Sequence, residues 1–501
     1  MINTTYFKVL IIQIAIIFMY CGTSSAQTGK QTSISGYIKT GNKPDTVILQ
    51  VFKEFGTGNM GYASDTTLTC IAENGRFHFD LGHRSQPFYI QLYLSNAGNF
   101  YINDWRRHEF FQYMVMPGDQ ISATFDEVGQ KIIFSGKGSA KFKWYNASAR
   151  AAGENKPLPM KVIKINGDAY FKKAEATYRL KYKMLQNIKN ELGTTEYKLL
   201  ATDLRSRIWG GVLGTMAQLN FMYSFDDQAY ADTYFKAYQQ YAYHKTFIDE
   251  SPILRYSLLY ADFLRWQALA KLAFLKKLDP GKKYPDEYNW IKAQYPKGII
   301  RDKLLTAYVF GENAKYGFQK DAFEKALEDV KTPAYRNVLQ SIISTKQKGS
   351  LVDNQFQFTD MDGKKISLVD FKGKVVLIDF WFTGCKGCID VVEGLKTVEK
   401  SFTDKDVVFL SLSIDKDRAQ WLQSIGEGKT YFTSHHTKYV YTSGTGTVNS
   451  FIKKYNPSNT YPQLMLLDRQ GKVYITEPVK PFGPESEEKL IKQIEEALNH
   501  Q

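Results

Sequence analysis

Two cysteines with two residues between them are the part of this sequence best suited to chemistry. Cys385 and Cys388 occur in the stretch WFTGCKGC, directly after the apolar run VVLIDF at residues 375–380. Only four cysteines occur in 501 residues, so this spacing is a specific signal. A cysteine attacks a disulfide only as its thiolate. Chemistry at this pair therefore requires surroundings that stabilise a thiolate.

The predicted secondary structure provides such surroundings. The apolar run predicts a buried strand, and residues 386–402 have the pattern of a helix. Cys385 would then precede the helix, where free backbone N–H groups and the positive end of the helix dipole favour an anion. Lys386 adds a neighbouring positive charge. Cys388 would lie about one turn inward, close enough to form a disulfide with Cys385. We therefore predict Cys385 as the attacking thiol and Cys388 as the resolving thiol.

Other uses of a cysteine pair are less favoured by the sequence. A zinc site would need a second pair of ligands, which the sequence lacks nearby. The adjacent histidines His435 and His436 usually point apart. A c-type haem site needs His directly after the second cysteine, where Ile389 stands. An inert structural disulfide stays open as an alternative. Redox chemistry is favoured, and it requires no cofactor and no metal.

Two further residues are candidates beside the cysteines. Asp379 lies in the apolar strand, six positions before Cys385. It either points to a sheet edge or solvent, or is buried beneath the cysteines, where its pKa would rise and it would exchange a proton with Cys388. Pro462 precedes the strand-like run QLMLLD. It is either an ordinary strand breaker or a cis-proline that lets backbone groups approach the cysteines.

The first residues predict export. Lys8 precedes an apolar run of about a dozen residues, and Ser24, Ser25 and Ala26 have the small side chains that a signal peptidase requires. We predict a signal peptide over residues 1–26 and a periplasmic or cell-envelope location. The alternative is a lipoprotein signal with acylated Cys21, the one way in which membrane anchoring is expected.

Three compositional regions follow the signal. Residues 27–137 alternate with period two, which predicts a β-sandwich. Residues 138–347 have apolar residues every three or four positions, which predicts a helical region. In residues 348–501 strands and helices alternate, which predicts an α/β domain. The fold class is therefore multidomain: a β-sandwich, an α-helical region and an α/β domain.

The charge does not indicate a nucleic-acid partner. The formal net charge is +14, but the basic residues are interleaved with acidic ones, as in EKLIKQIEE at residues 488–496. The sequence contains no basic run with aromatic residues for base stacking. We predict a solvated basic surface.

The residues FTDMDGKKISLVDFKGKVVLIDFWFTGCKGC and YNPSNTYPQLMLLDRQGKV together resemble the thioredoxin superfamily. The resemblance covers about 150 of the 501 residues and is strongest to the exported TlpA-like thiol–disulfide oxidoreductases, of the AhpC/TSA-like class. The β-rich segment also resembles a domain of unknown function that precedes such domains. The resemblance implies a thioredoxin-like fold, Pro462 as a cis-proline facing the disulfide, and Asp379 as the buried acid.

The sequence also departs from the family pattern. Lys386-Gly387 stands between the cysteines, where a proline commonly precedes the second cysteine, and Gly384 stands where Trp is frequent. The absence of His between the cysteines favours a reductant or isomerase over a strong oxidant. A peroxiredoxin is a further alternative, but no proline lies at the required position before Thr383.

We therefore predict an extracytoplasmic thiol–disulfide oxidoreductase that acts on disulfide-containing protein substrates. The family implies an electron donor, either a membrane protein or another thiol protein. The alternative is a non-catalytic binding module for a protein or cell-surface ligand, in which aromatic-rich helices supply an apolar groove and the thioredoxin-like part is vestigial.

Overall fold

A computed structural model describes the chain over twelve ranges. They are residues 29–39, 45–55, 66–94, 112–126, 131–154, 166–222, 228–242, 248–316, 318–353, 355–403, 405–456 and 461–500. The predicted signal peptide, residues 1–26, and Cys21 lie outside the described residues.

Two four-stranded sheets form the N-terminal part. One has the strand order β4-β1-β7-β8, with β1 and β7 parallel, and the other has the order β3-β2-β5-β6. In β4 the side chains of Phe77, Phe79 and Leu81 are buried while His78 and Asp80 are exposed, as the period-two alternation predicts. The strands are β1 (Lys30–Ile38), β2 (Asp45–Phe52), β3 (Thr66–Ala72), β4 (Arg76–Arg84), β5 (Phe88–Leu94), β6 (Tyr113–Val115), β7 (Gln120–Asp126) and β8 (Lys131–Lys137).

Helices make up the middle of the chain. They are α1 (Ser139–Glu154), α2 (Gly167–Asn187), α3 (Thr194–Met222), α4 (Gln228–Tyr241), α5 (Tyr260–Leu278), α6 (Glu287–Gln294), α7 (Ile299–Tyr316), α8 (Lys320–Asp329) and α9 (Pro333–Lys346). Buried residues of these helices and of both sheets belong to one hydrophobic cluster, which extends from Ile34 to Leu339. Within the described ranges, no helix combines the length and the apolar character needed to span a membrane.

A seven-stranded mixed sheet organises the C-terminal part, in the order β10-β9-β13-β12-β11-β14-β15. The central strand β11 pairs parallel with β12 and antiparallel with β14. The elements are β9 (Gln357–Asp360), β10 (Lys365–Ser367), β11 (Val375–Trp381), α10 (Lys386–Lys400), β12 (Val407–Ser413), α11 (Arg418–Ser424), β13 (Lys438–Tyr441), α12 (Ser450–Tyr455), β14 (Gln463–Leu467), β15 (Val473–Ile475) and α13 (Pro484–Asn499).

Helices cover both faces of this sheet. Val375 and Leu377 of β11 pack with residues of α10 and α13, whereas Val376 and Ile378 pack with residues of α12 on the other face. Because successive side chains of a strand point to opposite faces, β11 is buried on both sides, which accounts for its unbroken apolar run. The predicted fold class is confirmed: β sheets, a helical region, and an α/β domain.

The sequence patterns do not reveal three strands of this sheet. β9 and β10 form a short antiparallel hairpin at the edge. β13 has only four residues, KYVY, and it is held between β9 and β12. Strands this short carry too little periodicity to be recognised alone, so their structure depends on the neighbouring strands.

Candidate active site

The two cysteines lie where the central strand passes into a helix. β11 ends at Trp381, and α10 begins at Lys386 with Cys385 as its N-cap residue. Cys385 and Cys388 form a disulfide, and their Cα atoms are 5.3 Å apart. Cys385 is 6% exposed and Cys388 is fully buried. Cys385 is thus the less buried of the two cysteines. Its role as the attacking thiol stays a prediction.

The first turn of α10 provides a hydrogen-bond donor for the outer sulfur. The backbone N–H of Cys388 donates to Sγ of Cys385 over 3.2 Å. Once the disulfide is reduced, the same N–H and the positive end of the helix dipole favour a thiolate on Cys385. Lys386 is exposed beside it and adds a positive charge.

Pro462 lies against the cysteine pair. The peptide bond between Tyr461 and Pro462 is cis. A methyl group placed on Gly387 would lie 3.1 Å from Cδ of Pro462. The proline therefore lies next to the first turn of α10, at the residue before Cys388.

Asp379 is buried within β11. Its side chain is on the same face of the strand as Leu377 and Trp381, and these two residues pack against α10 and against the disulfide respectively. Asp379 is only 4% exposed, and its Oδ1 atom accepts no hydrogen bond from the described residues. Burial raises the pKa of this carboxyl from 3.8 to about 7. A carboxyl with such a pKa can accept or release a proton near neutral pH.

The sequence analysis missed Asp415, which holds the loop before Cys385. The Thr383 N–H and hydroxyl donate to the Asp415 carboxylate over 3.0 and 2.8 Å, and the Ser413 hydroxyl donates to it over 2.8 Å. Asp415 lies two residues after the end of β12, which is parallel to β11. Because parallel strands end at the same edge of a sheet, a polar residue after VVFLSLSI was the signal that could have identified it.

The structure thus brings Cys385, Lys386, Cys388 and Pro462 together, with Asp379 on the strand beneath. Cys70 is half-buried on β3, in the N-terminal sheets. Groups of three or more His, Cys, Asp and Glu side chains suited to holding a metal ion are not found among the described residues.

Comparisons with known proteins agree with this geometry. The family model described as thioredoxin-like matches residues 373–473, which include β11, the cysteine pair and β14. The thiol–disulfide oxidoreductase ResA of Bacillus thuringiensis is 30% identical over 118 residues, covering 24% of this chain and 62% of the relative. The thioredoxin-like protein YneN of Bacillus subtilis is 40% identical over 50 residues, which is 10% of this chain and 29% of that protein.

A solved structure is also similar to part of the chain. It is the thioredoxin domain of a thiol–disulfide oxidoreductase from Bacteroides vulgatus, with 28% identity and a TM-score of 0.25, covering 30% of this chain and 96% of that one. The chain thus spans 62% of the length of the ResA relative, and the matched segment makes up 24% of this chain. Residues 373–473 of this chain form a thioredoxin-like domain.

Proposed function

We propose that this chain is an extracytoplasmic thiol–disulfide oxidoreductase that reduces or exchanges disulfides in protein substrates. The observation that carries the proposal is the cysteine pair at the start of α10. Cys385, the less buried of the two, is the N-cap residue, and the cis-proline Pro462 lies next to Gly387 between them. The relatives named as thiol–disulfide oxidoreductases support the same activity.

The chemistry follows from the order of the sulfurs. In the reduced protein the Cys385 thiolate attacks a substrate disulfide, a mixed disulfide forms, and one substrate sulfur leaves and takes up a proton. Cys388 then loses its proton and attacks Sγ of Cys385. The mixed disulfide breaks, the second substrate thiol is released and the Cys385–Cys388 disulfide forms. Two electrons have passed from the pair to the substrate. The two substrate thiols have gained the Cys388 proton and one proton from solvent, and no cofactor takes part.

We propose that Asp379 accepts the proton that Cys388 loses. It is on the face of β11 that α10 covers, and its pKa of about 7 lets it accept a proton during the resolving step. Lys386 is proposed to support the thiolate of Cys385 through its charge. These roles rest on burial and on position in the first turn of α10.

The location and partners are proposed from the sequence. The signal peptide over residues 1–26 would deliver the chain to the periplasm or cell envelope. A reductant there must be recharged by a membrane protein or another thiol protein. The Lys386-Gly387 dipeptide without His favours the reducing or isomerising direction.

The activity is tested by following insulin reduction in excess dithiothreitol. We expect Cys385→Ser to abolish catalysis. In a separate incubation, the Cys388→Ser variant is reduced, freed of dithiothreitol and mixed with insulin, and it should then form a mixed disulfide that non-reducing mass spectrometry detects. Cys70→Ser, in the N-terminal sheets, is the matched control and should retain wild-type activity. Full activity of the Cys385→Ser variant would refute the proposal.

A cavity in the helical region favours ligand binding as a second candidate function. It has a volume of about 180 Å³ and is lined by aromatic residues, among them Tyr178, Trp209, Tyr238 and Phe263, together with Arg205. Such a lining suits a small apolar ligand or side chain. The two candidates are separated by whether Cys385 and Cys388 cycle in mild thiol buffers, since a vestigial domain would leave the pair inert.

A further inference from the structure

A tyrosine hydroxyl contacts the backbone on both sides of the attacking cysteine. Tyr431 lies in the segment between α11 and β13. Its hydroxyl accepts a hydrogen bond from the Gly384 N–H over 2.9 Å and donates to the carbonyl of Cys385 over 3.3 Å. Tyr431 is 4% exposed. Its hydroxyl thus joins two consecutive residues of the loop that presents the nucleophile.

The tyrosine ring is itself held in place. It stacks on Trp381, the last residue of β11, with ring centroids 4.4 Å apart and an interplanar angle of 13°. Trp381 is fixed in turn by its indole N–H, which donates to the Ser411 hydroxyl over 2.7 Å. The backbone N–H of Tyr431 donates to the Ser424 carbonyl over 3.1 Å. The hydroxyl is therefore positioned by β11, β12 and the end of α11.

The hydrogen bond between Gly384 and Tyr431 depends on the backbone conformation of the glycine. Its φ is +99°, in the left-handed region that side chains other than glycine rarely adopt. A Cβ there would meet nothing within 4 Å, so the backbone conformation and not crowding accounts for the glycine. In this conformation the N–H of Gly384 points to Tyr431. The unusual residue before the first cysteine is thus paired with a hydroxyl 47 positions later.

We propose that Tyr431 is a positioning residue for Cys385, an inference that rests on the proposed disulfide exchange. Its hydroxyl fixes the Gly384–Cys385 backbone and thereby keeps Sγ of Cys385 at 3.2 Å from the N–H of Cys388, the donor that favours the thiolate. Without the hydroxyl, the loop gains freedom and this N–H stabilises the thiolate less. The reduced form loses stabilisation, so the pair becomes more reducing.

The test is Tyr431→Phe, which removes the hydroxyl and keeps the ring that stacks on Trp381. The rate at which iodoacetamide alkylates Cys385 is measured against pH in the fully reduced protein, with mass spectrometry to identify the site. At pH values below the pKa of the Cys385 thiol, the thiolate fraction should fall roughly five- to tenfold, which is the effect of losing about one hydrogen bond. The apparent pKa of the Cys385 thiol should rise. The charged groups Lys386, Asp379 and Asp415 are unchanged in the variant.

Tyr439→Phe is the matched control. Its hydroxyl belongs to the same aromatic cluster and also binds backbone groups, accepting from the Thr433 N–H over 2.7 Å and donating to the Ser434 carbonyl over 3.2 Å. The control should leave the alkylation profile of Cys385 unchanged. Equal shifts in both variants would overturn the proposal, because they would indicate a general loosening of the cluster.

A second variant covers the case in which Tyr431→Phe does not fold. Gly384→Ala acts on the other end of the same hydrogen bond and should shift the alkylation profile in the same direction. A wild-type profile in a folded variant at either position overturns the positioning role while leaving disulfide exchange intact. A wild-type pair that never becomes reduced would instead refute the proposed function itself.

Discussion

The Asp379 side chain is buried, and burial disfavours the ionised form of its carboxyl group. Because its pKa is raised to about 7, the carboxyl binds a proton more tightly in the folded protein than in the unfolded chain, where the ordinary value is 3.8. This contribution to stability is fully present below about pH 4 and is lost as the pH rises through 7. Above pH 7 the folded protein contains a buried carboxylate whose Oδ1 atom accepts no hydrogen bond from the part of the chain that the structure describes.

We predict that Asp379→Asn stabilises the oxidised protein above pH 7 by up to about 4 kcal/mol. The gain should shrink toward zero near pH 4, since the wild-type carboxyl is then neutral. Urea unfolding of the wild-type protein and of the variant at a series of pH values measures this difference in the free energy of unfolding. Asp390→Asn, on an exposed position of α10, should change stability by no more than about 0.5 kcal/mol. A gain that does not depend on pH would contradict the buried carboxylate.

We also predict that Asp379→Asn slows disulfide exchange and flattens its pH profile, because the amide cannot accept the Cys388 proton. The rate of insulin reduction between pH 6 and 8 is the measurement, with Asp390→Asn as the control. An unchanged rate and profile would remove Asp379 from the mechanism.

At the scale of elements, α10 is held close to the loop that precedes α13. Gly394 of α10 is buried, and a Cβ on it would lie 1.9 Å from the backbone oxygen of Pro481. The helix can therefore pack this closely only because a side chain is absent. This close packing fixes the helix whose first turn contains the cysteines.

We predict that Gly394→Ala destabilises the α/β domain by about 1–3 kcal/mol, because the Pro481 backbone must move. Gly211→Ala in α3 is the matched control, since a Cβ there meets nothing within 4 Å and the helix should gain up to about 1 kcal/mol. Thermal unfolding of both variants measures the difference. Equal stability of the two variants would contradict the close contact.

The sequence predicts the elements that are stabilised locally, and it misses those that depend on segments distant in the chain. β11 and β12 were predicted from apolar runs, and α10 from the helical pattern of residues 386–402, because those signals are local. β13 was missed because its residues 438–441 become a strand through pairing with neighbours on both sides. The contacts of Asp415 and Tyr431 were missed for the same reason, as they join segments 30 to 50 positions apart. The catalytic roles of the site residues stay predictions: Cys385, Cys388, Asp379, Lys386 and Pro462.

At the scale of the whole molecule, buried ionic contacts join the N-terminal sheets to the helices. Lys141 of α1 is fully buried and lies 2.6 Å from an Asp119 carboxylate oxygen, in the turn between β6 and β7, and 2.8 Å from Glu196 of α3. Burial raises the pKa of Asp119 despite the attraction of Lys141. These contacts lie beside the hydrophobic cluster that sheets and helices share, so we expect the two regions to unfold together.

We predict that Lys141→Met destabilises this joint unit by about 3–5 kcal/mol, because the buried Asp119 carboxylate and the half-buried Glu196 carboxylate lose their cationic partner. Lys489→Met, which breaks an exposed pair with Glu485 on α13, should cost no more than about 0.5 kcal/mol. Calorimetry of both variants measures the effect. A Lys141→Met variant as stable as the control would contradict the proposed joint unit.

The reduction potential of the Cys385–Cys388 pair tests the central claim most directly. The protein without residues 1–26 is equilibrated against defined thiol–disulfide buffers, and the oxidised fraction is measured by alkylation and mass spectrometry. We predict a single two-electron transition near the potential of thioredoxin, about −270 mV, as expected for a reductant. A pair that stays oxidised across the whole buffer range would contradict the account, because an inert disulfide cannot exchange electrons with a substrate.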